Sequence, residues 1–121
     1  MPKYDPYKKA WEKRRRKTAD RNRRFSIQVR EDARRIADHL GSRYGVKRVF
    51  LFGSILEEEK FNENSDLDMA VVGMKKADFY KALADISQMT EFNIDLKPLE
   101  DCAESFRKRV KEEGELIYER R

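Results

Sequence analysis

The chain has 121 residues, of which 42% are charged and 39% hydrophobic, a length that suits one domain with a single modest core. No apolar run approaches the roughly 20 residues of a membrane-spanning helix, and no apolar segment follows the basic N-terminus. We therefore expect neither a membrane protein nor a secretory signal. Cys102 is the only cysteine, which excludes an intramolecular disulfide and favours a reducing, cytoplasmic setting.

The net charge of +5 is distributed unevenly along the chain. Residues 1–30 hold 12 Lys and Arg against 3 Asp and Glu, whereas residues 31–121 hold 16 against 20. A basic arm on a mildly acidic domain predicts an anionic partner or an acidic protein surface. We place a basic helical arm at 1–26 and a globular domain at 27–121.

The predicted elements alternate between helices and strands. Asp5-Pro6 is typical of a helix start, and the charged segment after it is rich in helix-forming residues. A helical apolar stripe follows over about 27–43, which allows one helix continuous with the arm. The remaining predicted elements are strands at 48–53, 67–73, 92–97 and 115–119, and helices at 76–89 and 105–114. This order predicts a β-sheet with helices packed against it.

Two aspartates, one residue apart, open the strand at 67–73. Because side chains alternate along a strand, Asp66 and Asp68 project from the same face, where their like charges repel. Either water surrounds them at an exposed strand start, or divalent cations neutralise them, and oxygen ligands on a rigid strand suit Mg²⁺. Asp95 is a lone acid in another predicted strand, and three converging carboxylates are able to hold two metal ions.

Gly53 and Ser54 stand between an apolar strand and this acidic segment. A glycine lets the backbone approach a phosphate closely, and the serine hydroxyl and nearby N–H groups bind phosphate oxygens. Eleven residues separate Ser54 from Asp66. An apolar strand, Gly-Ser, this spacing, Asp-x-Asp and a later strand aspartate together indicate phosphoryl or nucleotidyl transfer.

The segments "FLFGSILEEEKFNENSDLDMAVV" and "NIDLK" resemble the signature of the minimal nucleotidyltransferases, small relatives of the DNA polymerase β-like superfamily. The likeness covers about residues 28–119 and leaves the basic arm outside. It implies an α+β nucleotidyltransferase fold, with a small mixed β-sheet flanked by helices. It also implies that Asp66, Asp68 and Asp95 are catalytic metal ligands for two Mg²⁺ ions, with Mn²⁺ as the alternative.

The same resemblance implies a nucleotide site and a partner. Gly53 and Ser54, with Ser65, would bind ATP as the substrate, and AMP would be transferred to a hydroxyl of a protein partner. Small members of the family resemble antitoxins paired with HEPN-type toxins. The alternative is a catalytically weak or inactive binding module that neutralises such a toxin by contact alone.

The sequence departs from the family pattern directly after Gly-Ser. Many relatives have a small residue and then Arg-Gly, whereas this chain has "ILEEE" at 55–59. A basic phosphate contact is therefore missing at the expected place, and Lys60 is the nearest candidate to replace it. The role of the arm also stays open between a solvated charged helix, a protein contact and RNA binding through Tyr4, Tyr7 and Trp11.

Overall fold

The computed structural model describes residues 6–121, so the predicted cap Asp5 and the aromatic Tyr4 lie outside the described residues. Helix α1 spans Pro6–Tyr44 without interruption, and the arm and the helix predicted at 27–43 are therefore one element. Between residues 6 and 21 every side chain is exposed except the half-buried Ala19. Burial begins at Asn22, four residues before the predicted boundary, and the division into arm and domain stays a prediction.

The remaining elements follow the predicted order closely. A four-stranded sheet has the order β3-β2-β1-β4, in which β2 and β3 are parallel and the other pairs antiparallel. The predicted small mixed sheet flanked by helices is therefore confirmed. The bounds are β1 Arg48–Phe52, β2 Leu67–Val72, α2 Phe79–Ser87, β3 Ile94–Pro98, α3 Glu104–Glu113 and β4 Glu115–Glu119.

Helices cover both faces of the sheet. On one face, alternate residues of β1 and β2 such as Leu51 and Met69 join the large core formed with α1 and α2. On the other face, Phe50 and Ala70 pack with Val110 of α3 in a smaller cluster. Because Asp68 lies two residues before Ala70 in β2, its side chain is on the α3 side of the sheet.

Polar contacts join α1 to α2 at the edge of the larger core. The Asp85 carboxylate lies 2.6 Å from His39 Nε2 and accepts a hydrogen bond of 3.0 Å from the Tyr44 hydroxyl. The hydrogen bond with His39, followed by that from Tyr44, lowers the pKa of Asp85. His39 and Tyr44 of α1 thus connect this helix to Asp85 of α2. Within residues 6–121, none of the helices combines the length and apolarity needed to cross a bilayer.

Candidate metal and nucleotide site

The parallel pairing of β2 with β3 brings two of the predicted aspartates together. Asp68 lies directly opposite Asp95 in the register, while their neighbours Leu67 and Ile94 form the adjacent pair. Across the antiparallel pair, Phe52 at the end of β1 is the partner of Asp68. One row across three strands, which we call the acidic row, therefore carries the carboxylates of Asp95 and Asp68 and the ring of Phe52 on the α3 side of the sheet.

The electrostatic environment of Asp68 disfavours its charged form. Burial, followed by the charges of Asp95 and Asp66, raises the pKa of the Asp68 carboxyl to about 6. Lys97 acts in the opposite direction, and its Nζ lies 3.6 Å from Asp95 Oδ1. Lys97 was not among the predicted site residues, although its position two residues after Asp95 in a strand puts both side chains on one face.

The three aspartates differ in how they are held. Asp68 and Asp95 are half-buried within strands, whereas Asp66 precedes β2 and is exposed. Among residues 6–121, no group of three or more His, Cys, Asp or Glu side chains is arranged closely enough to hold a metal ion. The donor chemistry still fits Mg²⁺ or Mn²⁺, because all the donors are carboxylate oxygens and their mutual repulsion is only partly offset by Lys97. Metal binding by these residues stays a prediction.

Gly53 follows β1 and lies against the acidic row. Its φ of 76° is in the left-handed region that favours glycine. A Cβ atom built on Gly53 would overlap a carboxylate oxygen of Asp68, so no other residue fits there without displacing that side chain. The 3₁₀ turn Gly53–Leu56 begins here, and the N–H groups of its first turn have no acceptor within the turn. Predicted phosphate-binding and metal-binding residues are therefore neighbours.

Ser65 has a structural role in the turn before Asp66. Its hydroxyl accepts a hydrogen bond of 3.0 Å from the Asn62 N–H, and its own N–H donates one of 3.0 Å to the Asn62 carbonyl. These bonds close the turn that leads the chain into β2. A contact between Ser65 and a nucleotide stays a prediction.

The acidic segment between the two halves of the site is anchored to α1. Glu57, Glu58 and Glu59 are exposed, and the Glu59 carbonyl accepts a hydrogen bond of 2.6 Å from Asn22 Nδ2. Lys60 Nζ lies 3.3 Å from Glu57 Oε1. Lys60, the predicted replacement for the missing basic contact, is thus already paired with a neighbouring acid.

A mixed sheet that presents opposed carboxylates beside a Gly-Ser turn defines a nucleotidyltransferase domain. Residues 34–121 match the family model described as Polymerase beta, Nucleotidyltransferase. The chain belongs to this family, and the resemblance drawn from the sequence is confirmed. No curated protein matches the sequence.

Solved structures with the same fold come from toxin–antitoxin complexes. The toxin–antitoxin MntA-HepT structure aligns with a TM-score of 0.58 at 17% identity, over 75% of this chain and 73% of that chain. A toxin–antitoxin structure with AMP-PNP aligns with a TM-score of 0.59 at 17% identity, over 74% of each chain. At this identity the likeness establishes the fold.

Proposed function

We propose that this protein is a metal-dependent nucleotidyltransferase that transfers AMP from ATP to a hydroxyl group of a protein partner. The observation that carries the proposal is the placement of Asp68, which lies opposite Asp95 on one side and against Gly53 on the other. Membership of the nucleotidyltransferase family supports the reaction class. The similar fold solved with AMP-PNP supports an adenine nucleotide as the substrate.

The chain's own residues account for the main steps of this transfer. Divalent cations held by Asp66, Asp68 and Asp95 would offset the repulsion of the carboxylates and the charge of the triphosphate. The acceptor oxygen attacks the α-phosphorus, the bond from that phosphorus to the bridging oxygen breaks, and pyrophosphate leaves. Asp95 accepts the proton of the acceptor hydroxyl. The Ser54 hydroxyl and the N–H groups of the adjoining turn bind the β- and γ-phosphates.

We further propose that the acceptor is a toxin of the HEPN type and that this protein is its antitoxin. The fold matches chains of the MntA-HepT toxin–antitoxin complex, which supports a toxin as the partner. Addition of AMP would place a bulky anion on the toxin. The modified hydroxyl would no longer make its contacts, and the added charge would disrupt the site around it.

The test is transfer of label from α-labelled ATP to the protein encoded by the neighbouring gene, with Mg²⁺ present. Wild type is expected to label the partner, and Asp66→Ala and Asp68→Ala are expected to lower the rate at least about 100-fold because both remove proposed metal ligands. The matched control is Asp38→Ala, which removes an exposed carboxylate of α1 outside the site. Unchanged labelling by either site variant, with folding intact, contradicts the proposal.

The second candidate function is neutralisation of the toxin by contact alone. Two observations favour it: residues 55–59 contain no basic side chain to contact a phosphate, and Lys60, the nearest candidate, is paired with Glu57. This function predicts that a variant with Asn at positions 66, 68 and 95 still binds and neutralises the toxin. If that variant binds the toxin and no longer neutralises it, contact alone is excluded.

The role of the exposed part of α1 stays open between a solvated charged helix, a contact with a protein partner and RNA binding. Residues 6–24 carry ten Lys and Arg against two Asp and Glu, and the basic side chains surround the helix rather than line one face. Such a distribution suits the phosphate backbone, which presents charge on several sides of a bound helix. Trp11 is 56% exposed, with the Arg15 guanidinium 5.1 Å from its ring centre, and is available to stack on a base.

A further inference from the structure

A groove of about 270 Å³ lies between the 3₁₀ turn Gly53–Leu56 and helix α3. Its position is set by an edge-to-face contact between Phe52 and Phe106, whose ring centres are 5.4 Å apart. The groove therefore begins at the predicted phosphate-binding glycine. The residues that line it include Phe52, Gly53, Leu56, Phe106, Arg109 and Glu113.

Arg109 is the basic group of this groove. Its guanidinium carbon lies 5.8 Å from the ring centre of Phe106, which holds the cation over an aromatic face. The side chain is exposed and forms no ion pair with any residue in the described range 6–121. Glu113, one turn further along α3, lines the same groove without pairing to Arg109. The guanidinium therefore keeps its hydrogen-bond donors for a ligand.

The groove continues the line of the acidic row across the sheet. Asp95, Asp68 and Phe52 follow one another from β3 to β1, and Phe106 lies against Phe52 beyond them. A triphosphate whose α-phosphate is near the aspartates and whose later phosphates meet Gly53 therefore extends toward the groove. Residues 53–59 contain no Lys or Arg, so a basic contact at this end of the triphosphate has to come from another element.

We propose that this groove receives the terminal phosphate of the nucleoside triphosphate and that Arg109 is the cationic ligand of that phosphate. This inference rests on the function proposed above. The planar guanidinium of arginine matches a phosphate with two parallel hydrogen bonds, which gives it an advantage over a lysine at this place. Helix α3 thus supplies a positive charge that residues 53–59 lack.

Calorimetric titration with a non-hydrolysable ATP analogue in Mg²⁺ tests this assignment without any turnover. Arg109→Ala is expected to weaken binding of the analogue about ten-fold, as for the loss of one hydrogen bond to a charged group, while AMP binding is unchanged. The affinity of Arg109→Lys for the analogue is expected to lie between those of wild type and Arg109→Ala. Lys108→Ala is the matched control, because it removes a charge from the adjacent exposed position of α3, which does not line the groove.

The possible results separate this inference from the proposed function. If wild type binds no triphosphate, both fail. If wild type binds the analogue and Arg109→Ala binds it equally well, the inference alone fails. If Arg109→Ala weakens the binding of AMP and of the analogue equally, the inference also fails, because the arginine would then contact the nucleoside monophosphate portion. Thermal unfolding of each variant verifies that it is folded.

Discussion

Gly53 lies so close to the Asp68 carboxylate that a methyl group added to the glycine would take the place of an aspartate oxygen. Gly53 directly follows β1 and Asp68 is the second residue of β2, and the antiparallel pairing of these strands brings the two residues together. The proposed phosphate-binding and metal-binding residues are therefore in steric contact, and a change in one is expected to disturb the other.

Gly53→Ala is expected to abolish ATP binding and also to destabilise the fold. Alanine at a φ of 76° costs about 1–2 kcal/mol, and its Cβ atom displaces Asp68 as well. The matched control is Gly45→Ala, at a φ of 68°, where the nearest atom to the new Cβ is Arg120 Nη1 at 3.8 Å. Urea denaturation and ATP titration of both variants separate backbone strain from the clash. Normal ATP affinity in Gly53→Ala would contradict the coupling.

Asp68→Asn is expected to stabilise the metal-free protein at neutral pH. The folded-state pKa of about 6 exceeds the ordinary value of 3.8, so the folded state binds more protons than the unfolded state between these values. The free energy of unfolding contributed by Asp68 therefore falls as pH rises from about 4 to about 6. The full shift corresponds to about 3 kcal/mol, which solvent screening at this half-exposed group reduces to about 1–2 kcal/mol.

The measurement is the difference in free energy of unfolding between Asp68→Asn and wild type at pH 4 and pH 7.5, without divalent cations. The stabilisation is expected at pH 7.5 and is expected to disappear at pH 4, where wild-type Asp68 is protonated. Asp38→Asn, which removes an exposed carboxylate of α1, serves as the control. A gain in stability that is equal at both pH values would show that repulsion at the acidic row is not its cause.

Mg²⁺ with ATP is expected to raise the melting temperature of wild type and leave Asp68→Asn unchanged. A ligand at 100 times its dissociation constant adds about 2.7 kcal/mol to the free energy of unfolding. Asp68→Asn is thus expected to be more stable than wild type without metal, and its melting temperature is expected not to rise when Mg²⁺ and ATP are added. Differential scanning calorimetry with and without a chelator measures both states. An equal upward shift in both proteins would place the cation elsewhere.

If the exposed part of α1 binds RNA, replacing residues 14–16 by Gln is expected to weaken that binding without affecting the melting temperature. These arginines are exposed and lie outside the packed half of the helix. Losing three phosphate contacts reduces the slope of log affinity against log salt by about 2 for a single-stranded RNA. The control replaces Arg34, Lys75 and Lys108, which are exposed elsewhere. Equal losses in both variants would indicate a general effect of net charge.

Much of the fold was predictable because its strands and packed helices carry clear apolar patterns. The apolar runs in 48–52 and 67–72 and the stripe that ends at Tyr44 predict elements close to those observed. The sequence allows a continuous α1 but does not predict one, because a segment charged on all sides has no apolar stripe that could be followed from the arm into the packed part of the helix. The 3₁₀ turn Gly53–Leu56 was missed because four residues are too short for a periodic signal.

Residues of the proposed site could be chosen from the sequence where they lie close together in it. Asp66, Asp68 and Gly53 follow from local spacing, and the lone Asp95 from its apolar neighbours. Arg109 was not predictable, because its place beside Gly53 depends on how α3 packs on the sheet. The register that sets Asp68 opposite Asp95 likewise arises from tertiary pairing and has no local signature.

A crystal structure with Mn²⁺ and a non-hydrolysable ATP analogue would show the proposed site itself, because Mn²⁺ is located by its anomalous scattering. We expect Mn²⁺ bound by Asp66, Asp68 and Asp95, with the phosphates of the analogue at Gly53 and Ser54. An analogue bound elsewhere on the protein, or Mn²⁺ bound without these carboxylates, would show that the proposed site is wrong.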